Sequence, residues 1–515
     1  MEEAKNYPLN KKALFILILI LVLGSFLRLY NLGKESLWCD EFLSLGVSSF
    51  SNISDVIFKN FYGHVDVFPP AYQILLHFVV KYIGNSEFIL RLPSCIFGIL
   101  SVYITFLLGR CLYTYREGLI AASFMAVLHV PIQYSQEVRP YSMLLFFSLL
   151  SIYFWVKLLR IVGNNQTPSC CLLFGYITSA ILVSYTHYFG FYFVALQGLT
   201  LVLFSFCRLK AFWSIFLSYS FIFISYMPWV FVASRRHFVQ VSKIWNNTGI
   251  LNHKISFILL DLYPYFLLQL NGALVLKWFI IFMYIILFFR YLYYVFNPKS
   301  RNSSYHTNLI STLMLTTWII APLIIWLLIS MLRDEMQIAV TQRNLIIYLP
   351  LVCLLVAHSI TQLPIKVYKK ILITLGVLSF LLYRLIFTFE YYSSPRNQQF
   401  KEIAEEIIAN DSKYSDSVII GWGGIPIFFN YYFEKNKFNK RIDFSGYRKD
   451  NMGCLLPNLN NVKKFITAAN KRYVWVCIYK QFDLPLQNFL KENYKLVNRK
   501  FFNESSVWLF EKKDI

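Results

Sequence analysis

The chain has 515 residues, 57% of them hydrophobic and only 15% charged, yet its 49 Lys+Arg outnumber 27 Asp+Glu for a net charge of +22. A soluble domain holds about 45–50% apolar and about 25% charged residues, so this composition excludes both a disordered chain and an ordinary soluble nucleic-acid binder. An oily protein that is also strongly basic points to a membrane.

In chain order, eleven apolar stretches of spanning length are predicted as transmembrane helices. They fall at about 12–30, 88–109, 117–132, 142–160, 172–187, 188–206, 211–232, 273–296, 309–331, 345–362 and 371–389. A twelfth, Pro70 to Gly84, contains His77 and starts with a Pro-Pro pair. It reads as a helix lying along the membrane surface. With the N-terminus inside, the inner segments of this eleven-span arrangement carry 15 basic residues against three acidic ones. That matches the positive-inside rule and predicts an N-in, C-out topology. Residues 13–30 lack a small-residue cleavage site and read as a retained first span.

Beyond residue 389 the composition changes: the last 126 residues hold 20 Lys+Arg and 14 Asp+Glu. Residues 398–410 fit an amphipathic helix, and 416–422, 472–479 and 505–511 fit strands. The expected fold is therefore mainly α. A transmembrane module (1–389) has a first outer loop with surface helices (31–87) and a second outer loop (133–141), and a small extracytoplasmic α/β domain (390–515) follows. The nine Cys are scattered with no C-x-x-C pair. Cys454 and Cys477 are either a disulfide or two buried thiols.

Acidic residues avoid the middles of the spans and gather in the two outer loops, where an ionisable group marks a functional candidate. Asp40 and Glu41 follow Trp38 directly. One carboxylate of such a pair can accept a proton from an attacking hydroxyl while the other orients it. The alternative is a helix N-terminus stabilised by its acids. Glu137 and Arg139 sit together in the short second loop, either paired or binding a substrate hydroxyl and a phosphate. His64, Asp66, Tyr72 and His187 are further candidates for substrate or metal contacts, and Arg343 lies where the tenth span begins. The ordinary alternatives are loop residues, a packed histidine and a snorkelling arginine. The chain contains no phosphate-binding Gly-rich loop, G-x-S-x-G elbow or H-E-x-x-H.

Four motifs taken in order carry a resemblance. They are Leu32-Gly-x-x-Ser-Leu-Trp-x-Asp40-Glu41, Asp66-x-x-Pro-Pro-x-Tyr72, Ser86-Glu-Phe-Ile-Leu-Arg-Leu-Pro-Ser94 and Gln133-x-Ser-Gln-Glu-x-Arg-Pro-Tyr141. Over about residues 25–195 the sequence resembles the integral-membrane GT-C glycosyltransferases. The nearest branch holds the lipid A aminoarabinose transferase, the Rhizobium lipopolysaccharide galacturonosyltransferases and the protein O-mannosyltransferases. Further on, the likeness rests on topology, Pro228-Trp229, Arg343 and the outer C-terminal domain.

The resemblance implies a polyprenyl-phosphate-sugar donor and a glycan, lipid or protein acceptor of the cell envelope, with transfer on the outer face of a bacterial inner membrane. It further implies Asp40 as general base with Glu41 in support, a role for Glu137, and Arg139 and Arg343 on the donor phosphate. One base and one displacement would invert the anomeric carbon. Many relatives carry His or Lys just before the Pro-Pro pair, where this chain has Phe68. No cofactor is assigned, and a divalent metal stays open. A glycolipid flippase and a lipid-linked glycan polymerase or ligase are the competing functions. A transporter usually shows inverted repeats and midplane charges, and neither is seen here.

Overall fold

The computed structural model describes residues 9–62, 69–205, 209–234, 343–422, 427–442, 447–449, 455–479 and 484–513. Among the described residues, eleven helices precede residue 235: α1 (Lys11–Leu29), α2 (Cys39–Ser48), α3 (Ile53–Tyr62), α4 (Ala71–Tyr82), α5 (Glu87–Leu112), α6 (Tyr115–Val127), α7 (His129–Ser135), α8 (Tyr141–Gly163), α9 (Cys170–Thr186), α10 (Tyr188–Ser205) and α11 (Leu209–Ser234). A 3-10 turn (Asn344–Tyr348) then leads into α12 (Leu349–Gln362). Helix α13 (Val367–Tyr383) runs on as a π-helical turn to Thr388.

Nine of the predicted spans fall on these helices, and 273–296 and 309–331 lie outside the described residues. By length and composition five described helices can cross a membrane, or six if α6 and α7 form one bent span. Cys170–Thr186, Tyr188–Val202 and Ile346–Gln362 are apolar but shorter. Side-chain caps start several helices: Asn10 accepts from the Ala13 N–H at 2.7 Å, and Ser86 and Ser169 cap α5 and α9.

The stretch predicted as one span at 117–132 is broken in two. Helices α6 and α7 meet at 61°, with Leu128 between them in an extended conformation. Pro131 explains the position, because its ring clashes with the carbonyl four residues back and supplies no N–H to it. Arg28, fully buried near the end of α1, donates to the Met125 and Ala126 carbonyls at 2.9 and 3.0 Å. It satisfies acceptors that the break frees. Helices α5 and α6 come close enough that a Cβ on Gly109 would sit 2.6 Å from the Gly118 Cα, the small-residue contact that membrane helices use.

After α13 come α14 (Phe400–Asn410), β1 (Ser417–Trp422), α15 (Ile427–Lys435), β2 (Tyr447–Lys449), β3 (Leu455–Pro457), α16 (Leu459–Ala469), β4 (Tyr473–Tyr479), α17 (Leu484–Asn493), β5 (Tyr494–Phe502) and β6 (Ser505–Lys512). The main sheet has the order β1-β4-β6-β5, with β1 and β4 parallel and the rest antiparallel. The three predicted strands are all in it. Sequence reading missed the short β2 and β3 and, in the main sheet, β5, whose run of exposed and charged residues (Tyr494 to Phe502) hides the alternation. Cys477 is a buried free thiol, and Cys454 lies outside the described residues.

This unit shares a core with the loop between α1 and α5. Leu37, Phe42, Leu45, Tyr72 and Leu76 pack with Phe400, Phe428 and Tyr432. The Phe42 and Phe428 rings stack with centroids 4.2 Å apart. The loop that carries the acidic pair is thus sandwiched between the helices and the α/β unit.

Candidate active site

The site is built outward from a buried ion pair. Glu41, the third residue of α2, accepts from the Trp38 N–H at 3.2 Å, half of a capping box. Its carboxylate meets the Arg91 guanidinium of α5 fork to fork, Nε to Oε1 at 2.9 Å and Nη2 to Oε2 at 2.7 Å. Oε1 also accepts from the Val138 N–H at 2.8 Å. The remaining Arg91 donors reach the carbonyls of Leu32, Glu35 and Ser36 at 3.0–3.1 Å. All five guanidinium N–H groups are therefore used. Both side chains are buried. Glu41 is engaged on both oxygens, so its work is to hold α2, α5 and both loops together.

Asp40 is one residue away, which on a helix means about 100° around the axis. Its carboxylate faces another set of partners and is 25% exposed. Arg343 donates to Oδ2 at 2.9 Å. Arg139 Nη2 stands 3.9 Å from the same oxygen. The two arginines differ. Arg139 is buried, and its Nη1 donates to the Asp40 carbonyl at 3.1 Å and to Ser44 Oγ at 3.2 Å. Arg343 is 38% exposed and lies over the rings of Trp38 and Tyr141, 5.5 and 6.0 Å from their centroids. Arg343 is the more open cation of the two.

Glu137 is buried and accepts from Gln133 Nε2 at 3.1 Å. Burial and the nearby Glu41 charge push its carboxyl up to about 7, against the opposing pull of Arg343 and the Gln133 hydrogen bond. Tyr72 is buried and bonds Ser94 Oγ at 2.9 Å, and that hydroxyl donates to the Arg139 carbonyl at 3.2 Å. Tyr72 thus supports the backbone under Arg139. His187 is buried at the junction of α9 and α10, its ring 6.0 Å from that of Tyr141. His64, Asp66 and Phe68 lie outside the described residues. Among the described residues no three His, Cys, Asp or Glu side chains gather as a metal site needs.

The structure thus brings Asp40, Glu41, Glu137, Arg139, Tyr72, His187 and Arg343 to one neighbourhood. Sequence reading assigned no role to Arg91, although it stands inside the Ser86–Ser94 motif. It also passed over Gln136, whose amide donates to the Arg28 and Tyr30 carbonyls at 2.9 Å while its Oε1 accepts from the Tyr391 hydroxyl at 3.0 Å. An arginine inside the apolar run 88–93 was the available signal for Arg91, whereas Gln136 stands among polar neighbours that offer none.

Arg91→Met should lower stability in detergent by about 3–5 kcal/mol, because it leaves the Glu41 carboxylate buried without its partner. Removing Glu41 as well should not restore it, since the three loop carbonyls still lack donors; thermal melting checks both. Glu137 gives a pH signature. Its folded carboxyl titrates near 7 against an ordinary 4.5, so the protonated form is the one that folding favours. Stability from this group is full below about pH 4.5 and is lost as pH rises through 7, on the order of 3 kcal/mol in all. Glu137→Gln should flatten that part of the melting-temperature profile between pH 5 and 8.

Residues 68–231 match the family model described as dolichyl-phosphate-mannose-protein mannosyltransferase. No curated protein sequence matches the chain significantly. Two crystal structures of ArnT from Cupriavidus metallidurans are similar over 97% of this chain and 98% of their own. The apo state has 12% identity and a TM-score of 0.59. The form bound to undecaprenyl phosphate has 10% identity and a TM-score of 0.53. The likeness covers nearly the whole chain, which is a multi-pass integral membrane protein with the fold of the ArnT structures.

Proposed function

We propose that this chain is a glycosyltransferase that moves a sugar from a polyprenyl-phosphate donor to an acceptor hydroxyl of the cell envelope, on the outer face of the membrane. The observation that carries this reading is the partly exposed Asp40 carboxylate next to the open Arg343 guanidinium, inside a frame that is otherwise buried. The family match over 68–231 and the undecaprenyl phosphate bound by the similar ArnT structure support the donor class. The excess of basic residues on one side of the predicted spans supports an N-in orientation, which sets the Asp40 loop outside.

Each group has a chemical task. Asp40 takes the proton of the acceptor hydroxyl as its oxygen attacks the anomeric carbon. The bond from that carbon to the phosphate oxygen breaks, and its electron pair stays on the departing polyprenyl phosphate. Arg343, with donors beyond the one it gives Asp40, stabilises the growing negative charge. Arg139 acts on Asp40 itself, holding the first turn of α2 through the Asp40 carbonyl and Ser44. Glu137, titrating near neutrality, is suited to a hydrogen bond with a sugar hydroxyl in either protonation state. A single displacement of this kind inverts the anomeric carbon. The acceptor class is an extracytoplasmic glycan, lipid or protein hydroxyl.

Asp40→Asn should abolish transfer while the protein still folds and binds undecaprenyl phosphate. Mass spectrometry of envelope lipids and glycans from cells making either form reads the difference, and normal modification by the variant would remove Asp40 from the base role. Arg343→Ala should weaken undecaprenyl phosphate binding by at least about tenfold, the loss of a charge-assisted hydrogen bond. Native mass spectrometry of the purified protein measures it, and unchanged affinity would move the phosphate elsewhere.

A further inference from the structure

The segment joining α13 to α14 grips the acidic loop with three consecutive residues. The Arg396 backbone N–H and Nε donate to Glu35 Oε1 at 3.3 and 3.2 Å. Asn397 Nδ2 reaches Glu35 Oε2 at 3.4 Å. The Gln398 carbonyl accepts from Ser36 Oγ at 2.5 Å, and its side-chain oxygen accepts from the Cys39 N–H at 3.2 Å. From α15 of the α/β unit, the Tyr432 hydroxyl accepts from the Leu37 N–H at 2.7 Å. Residues 35, 36, 37 and 39 are therefore all tied to the C-terminal part of the chain.

Gln398 has the most direct hold. Cys39 is the first residue of α2, and its N–H is one of the donors that a helix start leaves without an internal partner. Gln398 is buried, so water is a poor substitute for it. Its amide group is itself oriented, because Nε2 donates to Glu504 Oε2 at 2.6 Å, on the turn between β5 and β6. The chain of contacts runs from the β5–β6 turn through one side chain to the residue before Asp40.

We propose that Gln398 is a positioning residue, whose side-chain amide, oriented by Glu504, fixes the first turn of α2 and so places the Asp40 carboxylate. This rests on the reading of Asp40 as the base. It makes the α/β unit a working part of the site, since a displacement of about 1 Å at a reacting group can cost about 100-fold in rate. Gln398 touches neither the donor nor the acceptor in this assignment, and it acts through Cys39.

The test uses the full-length protein in cells and in detergent. Gln398→Ala should cut sugar transfer to envelope lipids and glycans by at least about tenfold, with undecaprenyl phosphate binding unchanged within about twofold. The exchanged pair Gln398→Glu with Glu504→Gln keeps an oxygen for the Cys39 N–H and a donor to orient it, and should restore transfer. Glu406→Ala, which removes the partner of Lys500 and Asn410 outside the site, should transfer normally. Full transfer by Gln398→Ala beside an inactive Asp40→Asn would overturn this inference and leave the base assignment standing. A joint fall of binding, melting temperature and transfer that the exchanged pair fails to repair would reduce Gln398 to a packing residue. Normal transfer by Asp40→Asn would overturn the base assignment and this inference with it.

Discussion

The buried pair of Arg91 and Glu41 is the constraint on which the site depends. Two charges removed from water cost several kcal/mol each unless their partners replace the lost hydration. Here the replacement is complete on the guanidinium: two bonds to the carboxylate and three to loop carbonyls. The carboxylate adds the N–H groups of Trp38 and Val138. One ion pair thereby fastens a membrane helix, the loop before α2, the start of α2 and the loop before α8. Nothing in this arrangement leaves Glu41 a lone pair for chemistry.

Adjacent acids with opposite fates follow from helical geometry. Glu41 and Asp40 are one residue apart, so a face fixed by Glu41 determines where Asp40 points. It points to Arg343 and Arg139, the first open and the second buried. Arg139 and Arg343 look equivalent as sequence positions. Their surroundings separate them into a cation that secures the backbone of α2 and one that stays accessible.

The α/β unit stands in the same logic. Its packing against Phe42, Leu45 and Leu76, its hydroxyl bond to Leu37 and its grip on Glu35, Ser36 and Cys39 set the acidic loop between the membrane helices and the sheet. The break between α6 and α7, secured by Arg28, brings Gln133, Gln136 and Glu137 to the same place. The excess of basic residues noted at the outset divides accordingly. Part of it forms the one-sided pattern that predicts an N-in chain, and a few buried or half-buried arginines organise the site.

Much of this protein was determined by its sequence alone. Apolar runs of spanning length located the long helices, because a helix in lipid must be apolar along its whole length. The strands 416–422, 472–479 and 505–511 were legible because they are buried β-rich runs, while β5, an exposed edge strand, was not. The motif around Asp40 announced a site, and Asp40, Glu137 and Arg343 were readable as candidates by residue type. Which carboxylate is engaged and which is open was decided only by the tertiary structure. Arg91 is 50 residues from Glu41, and Arg343 is 303 residues from Asp40. Periodicity and spacing report on neighbours a few residues apart. The state of a charged group depends on whichever partner folding brings to it and on how much water is left, and neither is written in the local pattern.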